Sequence, residues 1–214
     1  MTTQKLLIGT RSPGKTREIR DLFAGLPFQI MFPDERFLDR LPLEADLETG
    51  VTYAENAIAK ARYFARASGM ATLADDSGLE VDALAGAPGA YSARFAILEG
   101  RADTETGAAL ELANTRLLLE RLEGVAEAQR TARYRCVVAY LSHPEAAPQL
   151  VEATCEGRIL TAPRGTAGFG YDPVFWSTDL AMGFAEASLA AKQRVSHRGR
   201  AFRALLEVLV RRSA

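Results

Sequence analysis

The segment Ala71-Thr72-Leu73-Ala74-Asp75-Asp76-Ser77-Gly78-Leu79 sets two adjacent carboxylates directly after a short apolar run. Its first four residues are predicted as a short buried strand, and residues 79–84 as another. Consecutive side chains on a strand point to opposite faces, but where a strand ends the backbone turns and both carboxylates can converge. The segment therefore predicts a strand with two adjacent carboxylates at its end. An Asx-type turn is the structural alternative.

Helices and strands alternate on both sides of this segment. Thr52 and Glu55 form a capping box that predicts a helix ending near Gly69. The other predicted elements are strands over 5–9 and 28–32, helices over 14–24, 103–122 and 196–212, and a hairpin from 132–141 and 150–160. Strands interspersed with helices, together with one antiparallel hairpin, indicate the α/β class.

Composition excludes several classes of protein. The chain has 214 residues, of which 48% are hydrophobic and 25% charged, as in globular domains and unlike disordered, collagenous or disulfide-scaffold chains. The net charge of −1 argues against a general nucleic-acid binder. We expect no membrane span and no signal peptide, because the apolar runs are too short. We therefore expect a cytoplasmic protein in which Cys136 and Cys155 are reduced.

Charge is unevenly distributed along the chain. Acidic residues concentrate over residues 34–48, and basic residues over residues 192–212. One interpretation of the basic tail is a solvated helix face. The other is an anion-binding wall that faces an acidic, metal-binding segment.

Residues 9–16 read Gly-Thr-Arg-Ser-Pro-Gly-Lys-Thr, which matches the G-x-x-x-x-G-K-[ST] phosphate-loop pattern. The motif follows a predicted strand and begins a predicted helix. Backbone N–H groups at a helix N-terminus attract phosphate, and Arg11 and Lys15 add positive charge. The motif predicts phosphate binding but not the P-loop fold, because unrelated folds use the same physics. A turn that uses glycine and proline only for its geometry is the structural alternative.

Two further motifs could serve a nucleotide. In Gly168-Phe169-Gly170-Tyr171-Asp172-Pro173, glycines flank an aromatic ring that can stack on a base, and Asp172 can accept hydrogen bonds from ring N–H groups. In Ser196-His197-Arg198-Gly199, His197 begins the last predicted helix and carries hydrogen-bond donors. A plain turn and a helix cap are the respective structural alternatives.

These four motifs, with Gly86-Ala87-Pro88-Gly89-Ala90-Tyr91-Ser92-Ala93-Arg94-Phe95, make the chain resemble the Ham1-like family of inosine triphosphate pyrophosphatases. The resemblance runs from Leu6 to about Leu209. It implies one domain over residues 1–214, with an elongated two-lobed α/β fold, a long mixed sheet flanked by helices and an active cleft between the lobes. It also implies a homodimer that cleaves non-standard purine nucleoside triphosphates.

The resemblance assigns site residues by position. It implies metal ligation by Glu48 and Asp76, with Mg²⁺ as the metal, and proton transfer by Asp76 with Asp75 beside it. The implied substrate contacts are Thr10, Arg11, Ser12, Pro13, Gly14, Lys15, Lys60, Ser77, Phe169, Gly170, Tyr171, Asp172, Lys192, His197 and Arg198. The chain departs from the family pattern in the first loop, where Arg11 replaces a glycine and Ser12 an asparagine. The expected partners are thus a nucleotide and a second copy of the chain, with no nucleic acid and no membrane.

The implied mechanism is attack of water on the α-phosphorus, which gives a monophosphate and pyrophosphate. Lys15, Lys60 and Lys192 offset the negative charge of the substrate, and an aspartate orients or deprotonates the water. His197 and Arg198 donate to a 6-oxo group, which adenine lacks.

Two other functions are carried as alternatives. A P-loop kinase or NTPase explains residues 9–16 and would cleave at the γ-phosphate. A non-enzymatic nucleic-acid binder rests on the basic tail alone and predicts affinity that falls steeply with salt.

Overall fold

The computed structural model describes residues 4–213, with the backbone alone for residues 45, 212 and 213. Within them, helices and strands alternate, which confirms the predicted α/β class. The strands are β1 (Gln4–Ile8), β2 (Phe28–Met31), β3 (Thr72–Val81), β4 (Pro88–Gly89), β5 (Thr131–Leu141), β6 (Gln149–Ile159), β7 (Phe175–Ser177) and β8 (Met182–Gly183). The α-helices are α1 (Pro13–Leu22), α2 (Tyr53–Ser68), α3 (Phe95–Leu98), α4 (Gly107–Arg121), α5 (Leu189–Val195) and α6 (His197–Ser213). Short 3₁₀ helices include Pro42–Glu48 and Asp172–Val174.

The described strands form one mixed sheet. Its order is β2-β1-β3-β5-β6-β7-β8, with β4 paired to β3. Strand β1 is parallel to β2 and to β3, whereas β7 is antiparallel to β6 and to β8. The predicted hairpin strands are the sheet neighbours β5 and β6. The mixed sheet implied by the resemblance is therefore present.

Strand β3 corrects one prediction. Two strands separated by a turn were expected at residues 71–84, but Thr72–Val81 is a single strand that passes through Asp75, Asp76 and Gly78. Its acids are buried, with 2% of Asp75 and 5% of Asp76 exposed. They stay within the strand because each meets a lysine, which compensates for the removal of the charge from water.

Helix α2 begins and ends as predicted. Thr52 accepts the Glu55 backbone N–H, and the Glu55 side chain accepts the Thr52 N–H, which completes the capping box. Gly69 ends the helix with φ = 70°, in the left-handed region that glycine adopts without strain. This helix carries two side chains of the candidate site, Asn56 and Lys60.

Contacts divide the chain into two compact units. Unit 1 comprises residues up to Asp76, Cys136–Ala153 and the residues from Ala201 onward. Its core packs α1 and α6 residues against β1, β3 and β5, and it includes Leu6, Ile8, Ile19, Phe23, Leu73, Val138, Phe202 and Leu205. Buried Phe202, Leu205, Leu206 and Leu209 confirm the predicted inward face of the last helix.

Unit 2 comprises Ser77–Arg135 and Thr154–Arg200. Its core includes Leu79, Val81, Leu118, Leu122, Tyr134, Cys155, Ile159, Phe175 and Phe184. Cys155 and, in unit 1, Cys136 are buried free thiols, as predicted. No helix in residues 4–213 is both long and apolar enough to cross a bilayer.

Candidate active site

The first loop joins β1 to α1 and directs a lysine at β3. Ser12 caps the helix, because its Oγ accepts the Lys15 N–H at 3.4 Å, and Pro13 begins the helix. The Lys15 Nζ lies 3.0 Å from Asp75 Oδ2 and 3.3 Å from the Asp75 carbonyl oxygen. Cys136 Sγ lies 3.9 Å from the same Oδ2 atom. The predicted strand-loop-helix is confirmed, and its lysine is paired with a buried acid.

Gly9 allows the close approach of this loop to its neighbours. A Cβ at this position would lie 2.8 Å from the Phe64 ring and 3.3 Å from the Ala74 Cβ. The glycine that opens the motif therefore serves packing between β1, α2 and β3.

Arg11 does not present a free charge in this loop. Its guanidinium group contacts Glu44 through Nε at 2.5 Å and Nη2 at 2.7 Å, and it also pairs with Asp34. Hydrogen bonding and attraction from Glu44 and Asp34 outweigh burial and raise the pKa of Arg11. The positive charge predicted here is thus engaged by the acidic segment.

Lys60 forms ion pairs with two carboxylates in unit 1. Its Nζ lies 2.5 Å from Glu48 Oε1 and 3.2 Å from Asp76 Oδ1, and its side chain is 9% exposed. Burial would raise the pKa of Glu48, but the attraction of Lys60 and Lys15 more than offsets it and holds that pKa below its usual value. Burial would likewise lower the pKa of Lys60, yet Glu48 and Asp76 raise it. Glu48 and Lys60 are therefore both ionised near neutral pH.

Asn56 was not predicted as a site residue. Its side chain is 1% exposed. Its Nδ2 donates to Asp76 Oδ2 at 2.9 Å, and its Oδ1 accepts the Gly50 N–H at 2.8 Å. It thereby joins Asp76 to the loop that follows Glu48. Asn56 and Lys60 lie four residues, about one helical turn, apart on α2. This spacing could have indicated that Asn56 shares a site with Lys60.

The carboxylates of Glu48 and Asp76 suit a hard cation. Both oxygens lie within hydrogen-bond reach of one nitrogen, so they converge on a shared point. Mg²⁺ takes oxygen ligands and needs only one or two protein carboxylates besides water and substrate phosphates. No group of three or more His, Cys, Asp or Glu side chains suited to a metal occurs within residues 4–213. The donor set thus fits a cation that shares its shell with a ligand.

A second cluster lies in unit 2 around Asp172. This acid is 2% exposed, and its Oδ2 accepts Lys192 Nζ at 2.5 Å and the Phe169 N–H at 2.9 Å. Lys192 Nζ also lies 5.2 Å from the centroid of the Phe169 ring, at cation–π distance. Gly168 has φ = 80°, and a Cβ there would lie 2.0 Å from Asp172 Oδ2. The glycine lets the carboxylate fold back under the loop that carries Phe169.

The loop carrying Phe169 is attached to helix α4. Glu111 accepts the Gly170 N–H at 2.9 Å, and Thr115 Oγ1 donates to the Gly170 carbonyl at 3.4 Å. The next residue, Tyr171, donates its hydroxyl to the Ser92 carbonyl at 2.9 Å. Sequence reasoning missed these supports because they lie 55 to 79 positions away in the chain.

His197 and Arg198 are held at the start of α6. Arg198 is 2% exposed, and its Nη2 donates to Ser77 Oγ at 2.7 Å. Its guanidinium carbon lies 5.7 Å from the Phe169 ring centroid. His197 is 4% exposed and stacks on Tyr134, with centroids 4.6 Å apart and an interplanar angle of 7°. The structure thus brings Ser77, Phe169 and Arg198 together in unit 2.

Predicted site residues fall into both units. Unit 1 holds Thr10–Lys15, Glu48, Lys60, Asp75 and Asp76, and unit 2 holds Ser77, Phe169–Asp172, Lys192, His197 and Arg198. Within the basic tail, Lys192 and Arg198 are buried, whereas Arg200 binds Asp179 and the Thr154 carbonyl. Acids of the 34–48 segment pair instead with Arg11, Arg20 and Lys60.

Comparison with known proteins identifies a matching family. The model of the Ham1 family matches residues 6–208. A dITP/XTP pyrophosphatase of Thioalkalivibrio sulfidiphilus is 47% identical, over 96% of this chain and 98% of that protein. One from Vibrio vulnificus is 42% identical, over 96% of each. The solved HAM1 protein of Coxiella burnetii superposes with a TM-score of 0.81 at 33% identity, over 97% of this chain and 99% of that one.

Proposed function

Because the chain belongs to the Ham1 family, we propose that it hydrolyses non-standard purine nucleoside triphosphates, namely ITP, dITP and XTP, to the monophosphate and pyrophosphate. Relatives that match nearly their full length bear the name dITP/XTP pyrophosphatase. The observation that carries the proposal is the buried Lys60, which holds Glu48 and Asp76 together. Such a cluster can bind both a phosphate and a cation, as the reaction requires.

Mg²⁺ is the proposed cofactor, with Glu48 and Asp76 as its protein ligands. When bound, the ion would offset negative charge on the phosphates and polarise the phosphoryl oxygens. Lys60 partly offsets the charge of the two carboxylates in the protein, and its ammonium group would turn to the substrate phosphate once a cation takes over that role. Asn56 keeps Asp76 oriented, because it occupies the second carboxylate oxygen.

Asp76 is the proposed residue that orients and deprotonates the attacking water, with Asp75 beside it in the chain. The two acids have different partners, since Asp75 contacts Lys15 and Asp76 contacts Lys60 and Asn56. Water attacks the α-phosphorus, the bond to the bridging oxygen breaks, and pyrophosphate leaves with that oxygen. No covalent intermediate is required, and catalysis rests on positioning and electrostatics.

The triphosphate binds along the first loop in this proposal. Backbone N–H groups of residues 10–15 other than Pro13, together with the N-terminus of α1, supply donors, and Lys15 supplies charge. Ser12 contributes from the capping position. Arg11 lies in the same loop, but its guanidinium is committed to Glu44 and Asp34, so its side chain supports the loop rather than the phosphate.

The purine binds at the unit 2 cluster in this proposal. Phe169 offers a ring for stacking between two glycines, and Gly170, Tyr171 and Asp172 shape that loop. His197 and Arg198 donate to the 6-oxo group, with Ser77 held beside Arg198. Adenine would place an amino group against these donors, and such a mismatch rejects an analogue strongly. Lys192 pairs with the Asp172 carboxylate and adds positive charge.

The remaining features of the proposal concern organisation. Residues 1–214 form one Ham1-like domain with two lobes, which acts as a homodimer in the cytoplasm on a small nucleotide and not on nucleic acid. The resemblance supports the domain and the dimer, and the composition supports the compartment. Size-exclusion chromatography with light scattering tests the dimer directly.

The decisive experiment measures pyrophosphate and free phosphate separately, with ITP, dITP, XTP, GTP and ATP as substrates and Mg²⁺ present. We expect pyrophosphate from the first three nucleotides and little product from ATP. Asp76→Asn should lose turnover by at least about a hundredfold and remain folded. Free phosphate from ATP or GTP would favour the P-loop alternative, and salt-sensitive DNA or RNA binding without turnover would favour a binding module.

A further inference from the structure

Arg11 is a heavily engaged cation of unit 1. Its side chain is 11% exposed. Its Nε and Nη2 atoms form a bidentate pair with Glu44, and Nη1 pairs with Asp34. Its Nη2 also donates to the carbonyl oxygens of Leu38 at 3.0 Å and Asp39 at 3.2 Å. One side chain of the first loop therefore contacts four residues of a segment 23 to 33 positions away.

The contacted segment has little hydrophobic anchoring of its own. Between Phe37 and Leu43, Leu38 is half-buried, but the other large apolar side chains face solvent: Phe37 is 92% exposed, Leu41 49% and Leu43 55%. The segment continues as the 3₁₀ helix Pro42–Glu48, and 3₁₀ helices have weaker hydrogen-bond geometry than α-helices. Polar contacts with the rest of unit 1 must therefore fix its position.

The helix Pro42–Glu48 is held at both ends. Near its start, Glu44 has a 9% exposed side chain and binds Arg11. Tyr63 of α2 also donates its hydroxyl to Glu44, at 3.3 Å. At its end, Glu48 binds Lys60, and the following loop is fixed by Asn56 through the Gly50 N–H. A shift of the Glu44 end moves Glu48, because both lie on one short helix.

From these contacts we propose that Arg11 is a positioning residue: through its paired contact with Glu44 it fixes the helix Pro42–Glu48 and so aligns the Glu48 carboxylate for the cation. The role depends on a guanidinium group, whose planar donors match a carboxylate in pairs. It rests on the proposed metal role of Glu48. It gives a function to a residue at which this chain departs from the family pattern.

The competing view is that Arg11 binds the triphosphate directly. The two views differ at Glu44. If Arg11 binds phosphate, removal of the Glu44 charge frees it and the KM for nucleotide falls or stays unchanged. If Arg11 positions Glu48, the same change loosens the helix and raises the Mg²⁺ concentration needed for activity. Arg11→Lys keeps the charge but loses the paired geometry, so it separates charge from positioning.

The test compares Arg11→Lys, Glu44→Gln and the double variant with the parent protein. Arg36→Lys and Asp46→Asn are the matched controls, because they make the same changes at exposed positions of the same segment. Two quantities are measured: amide hydrogen exchange of residues 38–50 without nucleotide, and the Mg²⁺ concentration for half-maximal ITP turnover. Circular dichroism verifies that each variant is folded.

We expect both single variants to exchange about tenfold faster in residues 38–50 and to need about tenfold more Mg²⁺, with a smaller effect on kcat once Mg²⁺ is saturating. The double variant should be no worse than either single variant, because both remove one interaction. Unchanged exchange in the single variants, or a raised nucleotide KM with an unchanged Mg²⁺ requirement, overturns the proposal. Absence of ITP turnover in the parent refutes the proposed function instead. Hydrogen exchange then still tests whether the Arg11–Glu44 contact fixes the helix Pro42–Glu48.

Discussion

Replacement of Lys60 by methionine tests the electrostatic balance of the unit 1 cluster. The change keeps a long side chain but removes the cation from Asp76, whose side chain is 7% exposed, and from Glu48, which is 37% exposed. Removal of one partner of a buried pair costs about 3–5 kcal/mol, and the exposure of Glu48 to solvent reduces this to roughly 2–4 kcal/mol. For a chain of this size that corresponds to a fall in Tm of about 5–15 °C at neutral pH.

The pH dependence distinguishes this cause from a general packing defect. The folded-state pKa of Glu48 is lowered by Lys60 and Lys15, so its contribution to stability is present above its unfolded pKa and is lost as the pH falls. Without Lys60 that contribution is reduced at neutral pH, whereas at low pH protonation of Glu48 removes its uncompensated charge. The Tm difference between parent and variant should therefore be largest near pH 7.5 and should shrink towards pH 4.

The assay is thermal unfolding followed by circular dichroism at pH 4, 5, 6 and 7.5. Lys5→Met is the control, because it removes the same charge from an exposed position. The reasoning is refuted if Lys60→Met lowers Tm equally at pH 4 and pH 7.5, or if the control loses as much as the variant does.

Three further predictions concern other parts of the chain. Phe169→Ala should raise the KM for ITP about 10- to 100-fold and change kcat much less, because base stacking is worth about 1–3 kcal/mol. Steady-state kinetics measures both constants, and an unchanged KM contradicts the stacking role. Gly168→Ala should impair nucleotide binding, because the added Cβ would collide with Asp172 and because φ = 80° strains a residue with a side chain. Titration with ITP in the presence of Ca²⁺ compares this variant with the control Ala167→Gly at an exposed position, and equal ITP affinity of the two variants rules out the collision. Burial raises the pKa of Cys155 to about 11, so the thiol should resist a disulfide reagent at pH 8 until the chain unfolds; rapid labelling of the folded protein would contradict the buried position.

The parts of the fold that depend on local sequence were predictable. The capping box at the start of α2 needs only Thr52 and Glu55, and the end of the helix needs only Gly69, so neighbouring residues were enough to predict both ends. The hairpin strands were predictable because their side chains alternate between the two faces of the sheet. One helix start was placed too early: α4 begins at Gly107, because the Glu105 side chain binds the backbone N–H groups of Asp103 and Thr104 instead.

The parts that depend on distant partners were not predictable. Asp75 and Asp76 suggest the end of a strand, since acids rarely occupy a buried strand. Their contacts with the distant Lys15 and Lys60 help to explain why the strand continues. The charge of Arg11 pointed to phosphate, but its acceptors lie far along the chain. The residue types of the candidate site were therefore readable from sequence, whereas their pairing was not.

The stacked pair of His197 and Tyr134 bears on how selectivity could change over evolution. Because Tyr134 lies against the imidazole with nearly parallel rings, it fixes the plane in which the N–H donors of His197 can point. Tyr134 itself packs against Phe175 and Phe184 in the core of unit 2. If His197 reads the base as proposed, a mutation in that core that tilts Tyr134 would rotate the donors without touching the nucleotide. Drift in base preference could then arise from ordinary hydrophobic substitutions, and a search confined to residues that contact the substrate would overlook its origin.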